Sequence, residues 1–275
     1  MERYSVLISV YYKEKPQYFK ESLKSMATQS VLPYDFVIVC DGPLGKELDN
    51  VLADFEKNYS SYFIIKIVRL EKCSGLGNAL NVGLKECQCD VVARMDSDDI
   101  AKTDRVKLQI EAMKEHNADM VGASVEEFDK SPENVIAIRK MPQTHEEILM
   151  FSRQRNPFNH PVMLFSKNAV MKAGGYMECQ WFEDYYLWLR MLKSGAKAYN
   201  IPDSLLYMRA GENMYARRGG LSYGITAVKF RWKIHRMGCS SLMDFIKSAG
   251  GQFLVSIVPN KVRIFIYKKI LRKSK

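Results

Sequence analysis

The sequence predicts a doubly wound α/β fold built on a mostly parallel sheet. Three observations carry that expectation. Several short segments are apolar almost without interruption, helical segments alternate with them, and acidic or aromatic residues sit where the apolar segments end. Strands buried on both faces read as continuous apolar runs, and their alternation with helices gives the βαβ rhythm. A chain of 275 residues that is 47% apolar can bury a sizeable core.

Ser5 to Tyr12 (SVLISVYY) opens as such a strand. Pro16, suited to a first helical turn, starts a helix to about Gln29 with Phe19, Leu23 and Met26 at helical spacing. Phe36 to Cys40 is a second strand, Lys46 to Tyr59 a helix and Phe63 to Leu70 a third strand. Gly75 to Glu86 places Leu76, Leu80 and Leu84 on one helical face, Asp90 to Met95 is a fourth strand, Asp104 to His116 a helix and Met120 to Ser124 a fifth strand. The second half is less regular. Thr144 to Phe151 reads as a helix, Asn156 to Pro161 as a polar loop before a short strand at Val162 to Phe165, and Gly174-Gly175-Tyr176 as a turn. Asp184 to Lys193 reads as a helix, with Gly195 at its end, and Leu205 to Met208 as a strand; from Leu221 the chain reads as helical.

In open α/β sheets ligands bind beyond the carboxyl ends of the strands. Tyr11, Asp41 and the cluster Asp96-Ser97-Asp98-Asp99 fall there. Two carboxylates at i and i+2 past a strand can face one hard divalent cation, which then neutralises a leaving diphosphate. Taken alone, the pattern equally suits a solvated turn or a helix N-cap. Asp41 equally suits a turn, and Tyr11 a core position.

Asp41-Gly42, then Gly75-Leu76-Gly77-Asn78-Ala79-Leu80-Asn81, then Ala93-Arg94-Met95-Asp96-Ser97-Asp98-Asp99, then Glu183-Asp184 resemble, in order and spacing, the family-2 glycosyltransferases. The resemblance runs from about Ser5 to Arg209. It implies a GT-A fold, a nucleotide-sugar donor, a divalent metal (Mn²⁺ or Mg²⁺) and inversion at the anomeric carbon. It further implies that Ser9 and Tyr11 flank the nucleotide, that Asp41 accepts from uracil, that Asp96 and Asp98 frame the metal diphosphate, and that Arg94 and Asp99 lie near the donor ribose or sugar. One departure stands out: Ser74 occupies a position where the family often has a basic residue, and Lys72 is the nearby substitute.

An inverting displacement needs a general base opposite the leaving group. The resemblance points to Asp184 as that base, with Glu183 positioning the acceptor or its loop; acids at a helix start also simply stabilise its N-terminus. His160, Trp181 and Arg209 are the acceptor-side candidates, with Arg217 and Arg218 available to a diphosphate. Core packing or a solvated surface are the plain alternatives for each.

The net charge of +10 is not evenly spread. Ile225 to Lys275 holds twelve Lys/Arg and one acid, Asp244, against 29 basic and 30 acidic residues before it. Such a tail implies an anionic partner. No recognition module accompanies the charge, which argues against nucleic acid. Lys261, Lys268, Arg272 and Lys275 fall on one helical face and Val262, Phe265, Ile266 and Ile270 on another, the pattern of a helix lying in a membrane interface. No apolar run approaches the roughly 20 residues of a spanning helix, and the N-terminus lacks the layout of a signal peptide. The six cysteines fit neither a zinc site nor a disulfide framework and read as reduced thiols, hence a cytosolic protein.

The organisation expected is a catalytic domain over 1–220 (nucleotide-sugar half 1–125, acceptor half 126–220) and a basic, membrane-associating helical tail over 221–275. The partners expected are a UDP-sugar donor, a lipid-diphosphate-linked sugar acceptor and the anionic inner face of the cell membrane. The resemblance extends to bacterial transferases that build O-antigen, capsule or exopolysaccharide repeats on undecaprenyl diphosphate. Processive members carry spanning helices and Gln-x-x-Arg-Trp; here Arg231-Trp232 follows Val228 and no span is expected, which favours transfer of a single sugar. The specific expectation, set by the resemblance, is a UDP-hexose donor, glucose or galactose, and a β-linkage to a diphospholipid-linked N-acetylhexosamine. A sugar nucleotidyltransferase would show a Gly-rich basic loop near its start, and Ser5 to Lys15 has no glycine. A non-catalytic membrane-binding module would have no need of a metal turn and a distant acidic pair.

Overall fold

Nine strands form one sheet in a computed structural model that describes residues 2–210 and 219–266. Arg217, Arg218, Lys268, Ile270, Arg272 and Lys275 lie outside the described residues.

The first half alternates as expected: β1 (Tyr4–Val10), α1 (Pro16–Ala27), β2 (Asp35–Cys40), α2 (Lys46–Tyr59), β3 (Ile64–Arg69), α3 (Leu76–Glu86), β4 (Val91–Met95), β5 (Ile100–Ala101), α4 (Arg105–Glu115) and β6 (Met120–Phe128). Then follow β7 (Val135–Arg139), α5 (His145–Ser152), β8 (Leu164–Ser166), α6 (Lys167–Lys172), α7 (Glu183–Lys193) and β9 (Ala198–Arg209). Three more helices, α8 (Leu221–Arg236), α9 (Leu242–Ile257) and α10 (Asn260–Ile266), end the described chain.

The strand order is β3-β2-β1-β4-β8-β6-β9-β5, with β7 hydrogen-bonded to β6. β1 to β4, β6 and β9 run in one direction, while β5, β7 and β8 oppose them. The sheet is therefore mostly parallel. The fifth long strand, β6, does not lie beside β4, because antiparallel β8 is inserted between them.

Alternation along the buried strands sends side chains to two separate cores. Val6, Ile8, Phe36 and Ile38 pack with Phe19, Leu23, Leu48 and Leu52 under α1 and α2. Leu7, Val37 and Val39 pack with Leu80, Leu84, Leu187 and Trp188 under α3 and α7. This is helix cover on both faces of the sheet, the condition for continuous apolar strands.

Two strands escaped the sequence pattern. β5 has two residues, too few for any period, and β7 pairs with β6 across a bulge at Glu127/Phe128. β9 is longer than its apolar stretch, because Asn200, Pro202 and Asp203 break the alternation. Pro202 has no N–H for the ladder, and the β6–β9 register shifts between Ala123 and Ser124 beside it.

The expected tail begins as part of the body. Tyr223, Ala227, Phe230 and Ile234 of α8 share a third core with Phe182, Tyr185, Tyr186 and Leu189 at α7, where Phe182 stacks on Phe230 at 4.4 Å. The spacing i, i+4, i+7, i+11 makes that apolar stripe.

Gly83 lets α3 lie flush on the sheet: a Cβ there would overlap the side chains of Leu7 and Val39. Gly83→Ala should therefore destabilise the protein by about 1–3 kcal/mol, read as a lower urea midpoint at unchanged slope.

Candidate active site

The parallel register sets the ends of β1, β2 and β4 along one sheet edge: Val10 pairs with Cys40, and Ile8 with Met95. Asp41 thus leaves the sheet level with Tyr11, and Asp96 level with Ser9. Ser9 is half-buried at the end of β1, and Tyr11 is exposed, edge-on to Tyr12.

Asp41 is buried, and its carboxylate organises the next loop. Oδ1 accepts from the Ser74 N–H (2.6 Å) and hydroxyl (3.0 Å); Oδ2 accepts from the Gly75 N–H (3.0 Å) and the Cys73 thiol (3.3 Å). Ser74, the departure noted in the sequence, is what Asp41 holds, while Lys72 stays exposed on the same loop. Gly75 at φ +88° turns the chain into α3, and two residues on Gly77 faces Tyr176 and Glu183, where an added Cβ would only come into ordinary contact with them. The Gly-rich segment therefore joins the nucleotide half to the acceptor half. Asn81 completes the joint, with its amide bonded to both the N–H and the C=O of Tyr176.

Asp96, Asp98 and Asp99 bring carboxylate oxygens within 4.8 Å of one another. Burial, reinforced by Asp96 and Glu14, pushes the Asp98 carboxyl up to about 7. Burial, then Asp98 and Asp96, pushes Asp99 well above the carboxylate range. An all-oxygen set crowded enough to hold protons at neutral pH fits a hard divalent cation, which relieves the same repulsion. Asp96 and Asp98 are the partly exposed members; Asp99 is buried and accepts the Arg209 N–H at 2.8 Å.

Arginines hold this turn. Arg94 is fully buried, pairs through Nη2 with Asp96, and has its Nε and Nη1 buried without a hydrogen-bond partner among the described residues. Arg105, equally buried, donates to the Arg94 carbonyl at 2.6 Å; burial and the Arg94 charge lower it to about 9. Arg209 has another task than the acceptor contact expected of it. Its guanidinium bonds the Asp98 carbonyl (3.0 Å) and Glu21 (2.8 Å) and lies 3.7 Å over the Tyr18 ring. Those partners, together with Ser22 to the Asp96 carbonyl (2.6 Å) and Ser97 to Glu14 (2.5 Å), had no local sequence signal, since they lie 74 or more residues from the turn.

At the start of α7, Asp184 accepts from the Asn156 amide (2.8 Å) and from the Tyr185 N–H (2.7 Å). Burial raises its carboxyl above the ordinary range, against the lowering pull of those bonds and of Arg94; burial raises Glu183 as well. Trp181 is exposed, edge-on to Tyr223 at 6.0 Å, and stands at φ +73°. That backbone is unfavourable for a bulky residue, and such strain gathers at functional sites. His160 bonds the Tyr176 hydroxyl through Nε2 at 2.9 Å; burial first, and Arg94 second, push it well below its usual value, so the ring is neutral. Behind the larger effect of burial, the Arg94 charge also lowers the proton affinities of Asp99, Asp184 and His160.

A β-sheet edge of this kind, with an acidic turn on one side and a buried carboxylate at a helix start on the other, defines a nucleotide-sugar transferase of the GT-A type. The chain belongs to Glycosyl transferase family 2, whose pattern matches residues 5–178. It is 37% identical to an Escherichia coli UDP-Gal:alpha-D-GlcNAc-diphosphoundecaprenol beta-1,3-galactosyltransferase, over 98% of this chain and 97% of the relative. It is 36% identical to the amylovoran biosynthesis glycosyltransferase AmsE of Erwinia amylovora, over 97% and 98%. In fold it is similar to the mannosyltransferase PcManGT of Pyrobaculum calidifontis, solved with GDP-Man and Mn²⁺ (TM-score 0.67, 15% identity, 95% of this chain and 72% of that one). It is also similar to S. aureus TarS 1-349 with UDP-GlcNAc (TM-score 0.62, 18% identity, 82% of this chain); the match spans 65% of the TarS fragment, less than two thirds.

The raised carboxyls have a measurable consequence. Asp98 moves from 3.8 to about 7, so its contribution to stability is complete below 3.8 and lost as pH rises through about 7. A divalent cation bound at these oxygens would replace the proton there. Mn²⁺ should therefore raise the thermal midpoint more at about pH 8 than at about pH 5, and Asp98→Asn should abolish that difference in differential scanning fluorimetry.

Proposed function

We propose that this chain transfers one hexose, galactose or glucose, from its UDP-sugar to an N-acetylhexosamine carried on diphosphoundecaprenol. The product is a β-linkage made during assembly of a bacterial surface polysaccharide repeat. The observation that carries the reading is the presence of two acidic centres in one fold, the turn whose Asp96, Asp98 and Asp99 oxygens lie within 4.8 Å of one another and Asp184 held by Asn156 and the Tyr185 N–H. The E. coli relative's reaction supplies the substrate class.

Asp184 is the general base. Asn156 and the Tyr185 N–H aim its carboxylate, and burial raises its proton affinity towards that of a base working near neutral pH. It takes the proton from the acceptor hydroxyl as that oxygen attacks the anomeric carbon from the face opposite UDP, so an α-linked donor yields a β product. Asp96 and Asp98 hold the divalent cation, Mn²⁺ or Mg²⁺, which when bound neutralises the charge on the departing diphosphate. Ser9 and Tyr11 flank the nucleoside. Asp41 meets the uracil N–H where the weak Cys73 thiol donor gives way, with Lys72 beside it. The unpartnered Nε and Nη1 of Arg94 are donors for the donor sugar or its phosphate, and Asp99 fixes the Arg209 backbone beside them. Glu183 holds the acceptor loop against Gly77, Trp181 offers its face to an acceptor sugar ring, and neutral His160 donates or accepts at an acceptor hydroxyl.

The enzyme works at the cytoplasmic face of the inner membrane as a peripheral protein. The basic charge after Ile225 and a lipid-linked acceptor support that placement. No described helix is long and apolar enough to cross a membrane.

Asp184→Asn should keep UDP affinity while transfer falls by about 10²–10⁴-fold; near-normal turnover would remove Asp184 as base. In wild type, kcat should fall on acidification with a midpoint above the ordinary carboxylate range, because only ionised Asp184 accepts the proton. UDP binding by calorimetry should require Mn²⁺ or Mg²⁺, and equal affinity in EDTA would remove the metal assignment.

A further inference from the structure

Helices α8 and α9 form a hairpin that is apolar on the wrong side. Ten of the 23 large apolar side chains exposed among the described residues lie between Leu221 and Phe265. On α9 the outward arc is Leu242, Met243, Ile246, Leu254 and Ile257, each at least half exposed, while Ser248, Ala249, Gln252 and Ser256 turn away from solvent. An ordinary surface helix has the reverse arrangement.

The inversion has a packing cause. Gly224 of α8 sits where a Cβ would overlap the Ser256 hydroxyl and touch Phe253, so small residues bring the two helices close. Gln252 bonds Arg231 Nε (3.0 Å) and the Tyr223 hydroxyl (3.2 Å), which satisfies the polar interior of the hairpin. Phe253 packs inward, and Leu242, Met243, Ile246, Leu254 and Ile257 are left outside. Trp232, on the exposed arc of α8, meets Phe245 of α9 at 5.4 Å and makes the two outer faces continuous.

The charge around this face has one sign. Lys229, Lys233, Arg236 and Lys247 are exposed on the two helices. The single acid, Asp244, is spent on the α9 capping box with Ser241 and on Gln154. An apolar face rimmed by Lys and Arg, with an interfacial Trp, is the chemistry of a helix lying in a lipid interface. A second copy of the chain is a poorer occupant, because a two-fold contact would set the basic rim against itself.

We propose that the outward face of the α8–α9 hairpin is an in-plane docking surface for an anionic bilayer leaflet. The proposal rests on the reading of the protein as a peripheral membrane enzyme and assigns the main contact to the hairpin rather than to the basic stripe after Lys261. The same hairpin is tied to the base-bearing helix: Arg231 also donates to the Tyr185 hydroxyl at 3.1 Å, one residue from Asp184. Docking therefore fixes the height of the acceptor side above the lipid, where a lipid-linked diphosphate sugar is presented.

The test uses the full chain with phosphatidylethanolamine/phosphatidylglycerol vesicles, and pure phosphatidylcholine vesicles as control. The combined variant Leu242→Ser, Ile246→Ser, Leu254→Ser, Ile257→Ser should lose vesicle association by at least about tenfold. It should retain transfer to a short-chain, water-soluble diphosphate acceptor, which shows that the fold and the chemistry survive. If that variant binds as wild type does, while Gln at Lys268, Lys269, Arg272, Lys273 and Lys275 abolishes binding, the hairpin proposal is overturned and the peripheral reading stands. Wild type that ignores the anionic vesicles overturns both. A dimer in light scattering that the combined variant dissolves also overturns it, with a second copy as the occupant.

Discussion

Three carboxylates within 4.8 Å of one another at the end of a buried strand repel, and much of this structure serves to hold them there. Arg94 lies beneath Asp96, Arg105 lies beneath Arg94, and Arg209 clasps the turn from the far end of β9. Two buried arginines in contact would be costly in an apolar core. Here each has a carbonyl or a carboxylate, and the acidic turn supplies the compensating field. The turn is thus held ready for a cation by groups drawn from α1, β4, α4 and β9.

The same electrostatic centre reaches the acceptor side. Arg94 opposes the rise in proton affinity that burial gives Asp184 and helps keep His160 neutral. The base role proposed for Asp184 calls for both influences: enough burial to hold a proton, and enough positive potential to be ionised before it is needed. Asn156 and the Tyr185 N–H set its direction, and the joint made by Gly77, Asn81 and Tyr176 sets its distance from the nucleotide edge. Positioning is thus shared between the two halves of the fold rather than vested in one loop.

The C-terminal helices extend that logic. α8, the first helix after Gly220, shares a core with α7 and so packs against the helix that carries Asp184. The small-residue contact at Gly224 turns the hairpin's apolar side chains outward, so packing within the enzyme and exposure to its surroundings have one cause.

The strands β1 to β4, the helices between them and the acidic residues that close β4 were legible in the amino-acid order, whereas the roles of Asp41 and the Glu183-Asp184 pair stood out only through the family resemblance. The legible features are local: apolar runs, helical spacing and strand-end residues need only neighbours to be recognised. What the order left undetermined is what distant segments do to one another. The insertion of β8 between β4 and β6 was not legible, because backbone pairing between residues more than 40 apart leaves no local period. Arg209 reads as a free cation in the sequence, and becomes a clasp only because β9 returns beside the acidic turn. Asp41 reads as a ligand for a base, and the fold gives it a loop to hold first. From Leu221 the order shows only helix; which side of α9 is turned outward depends on the close approach of α8 at Gly224. Chemistry was encoded in residue type and spacing, whereas partnership, burial and the proton affinities that depend on them arose when the chain closed on itself.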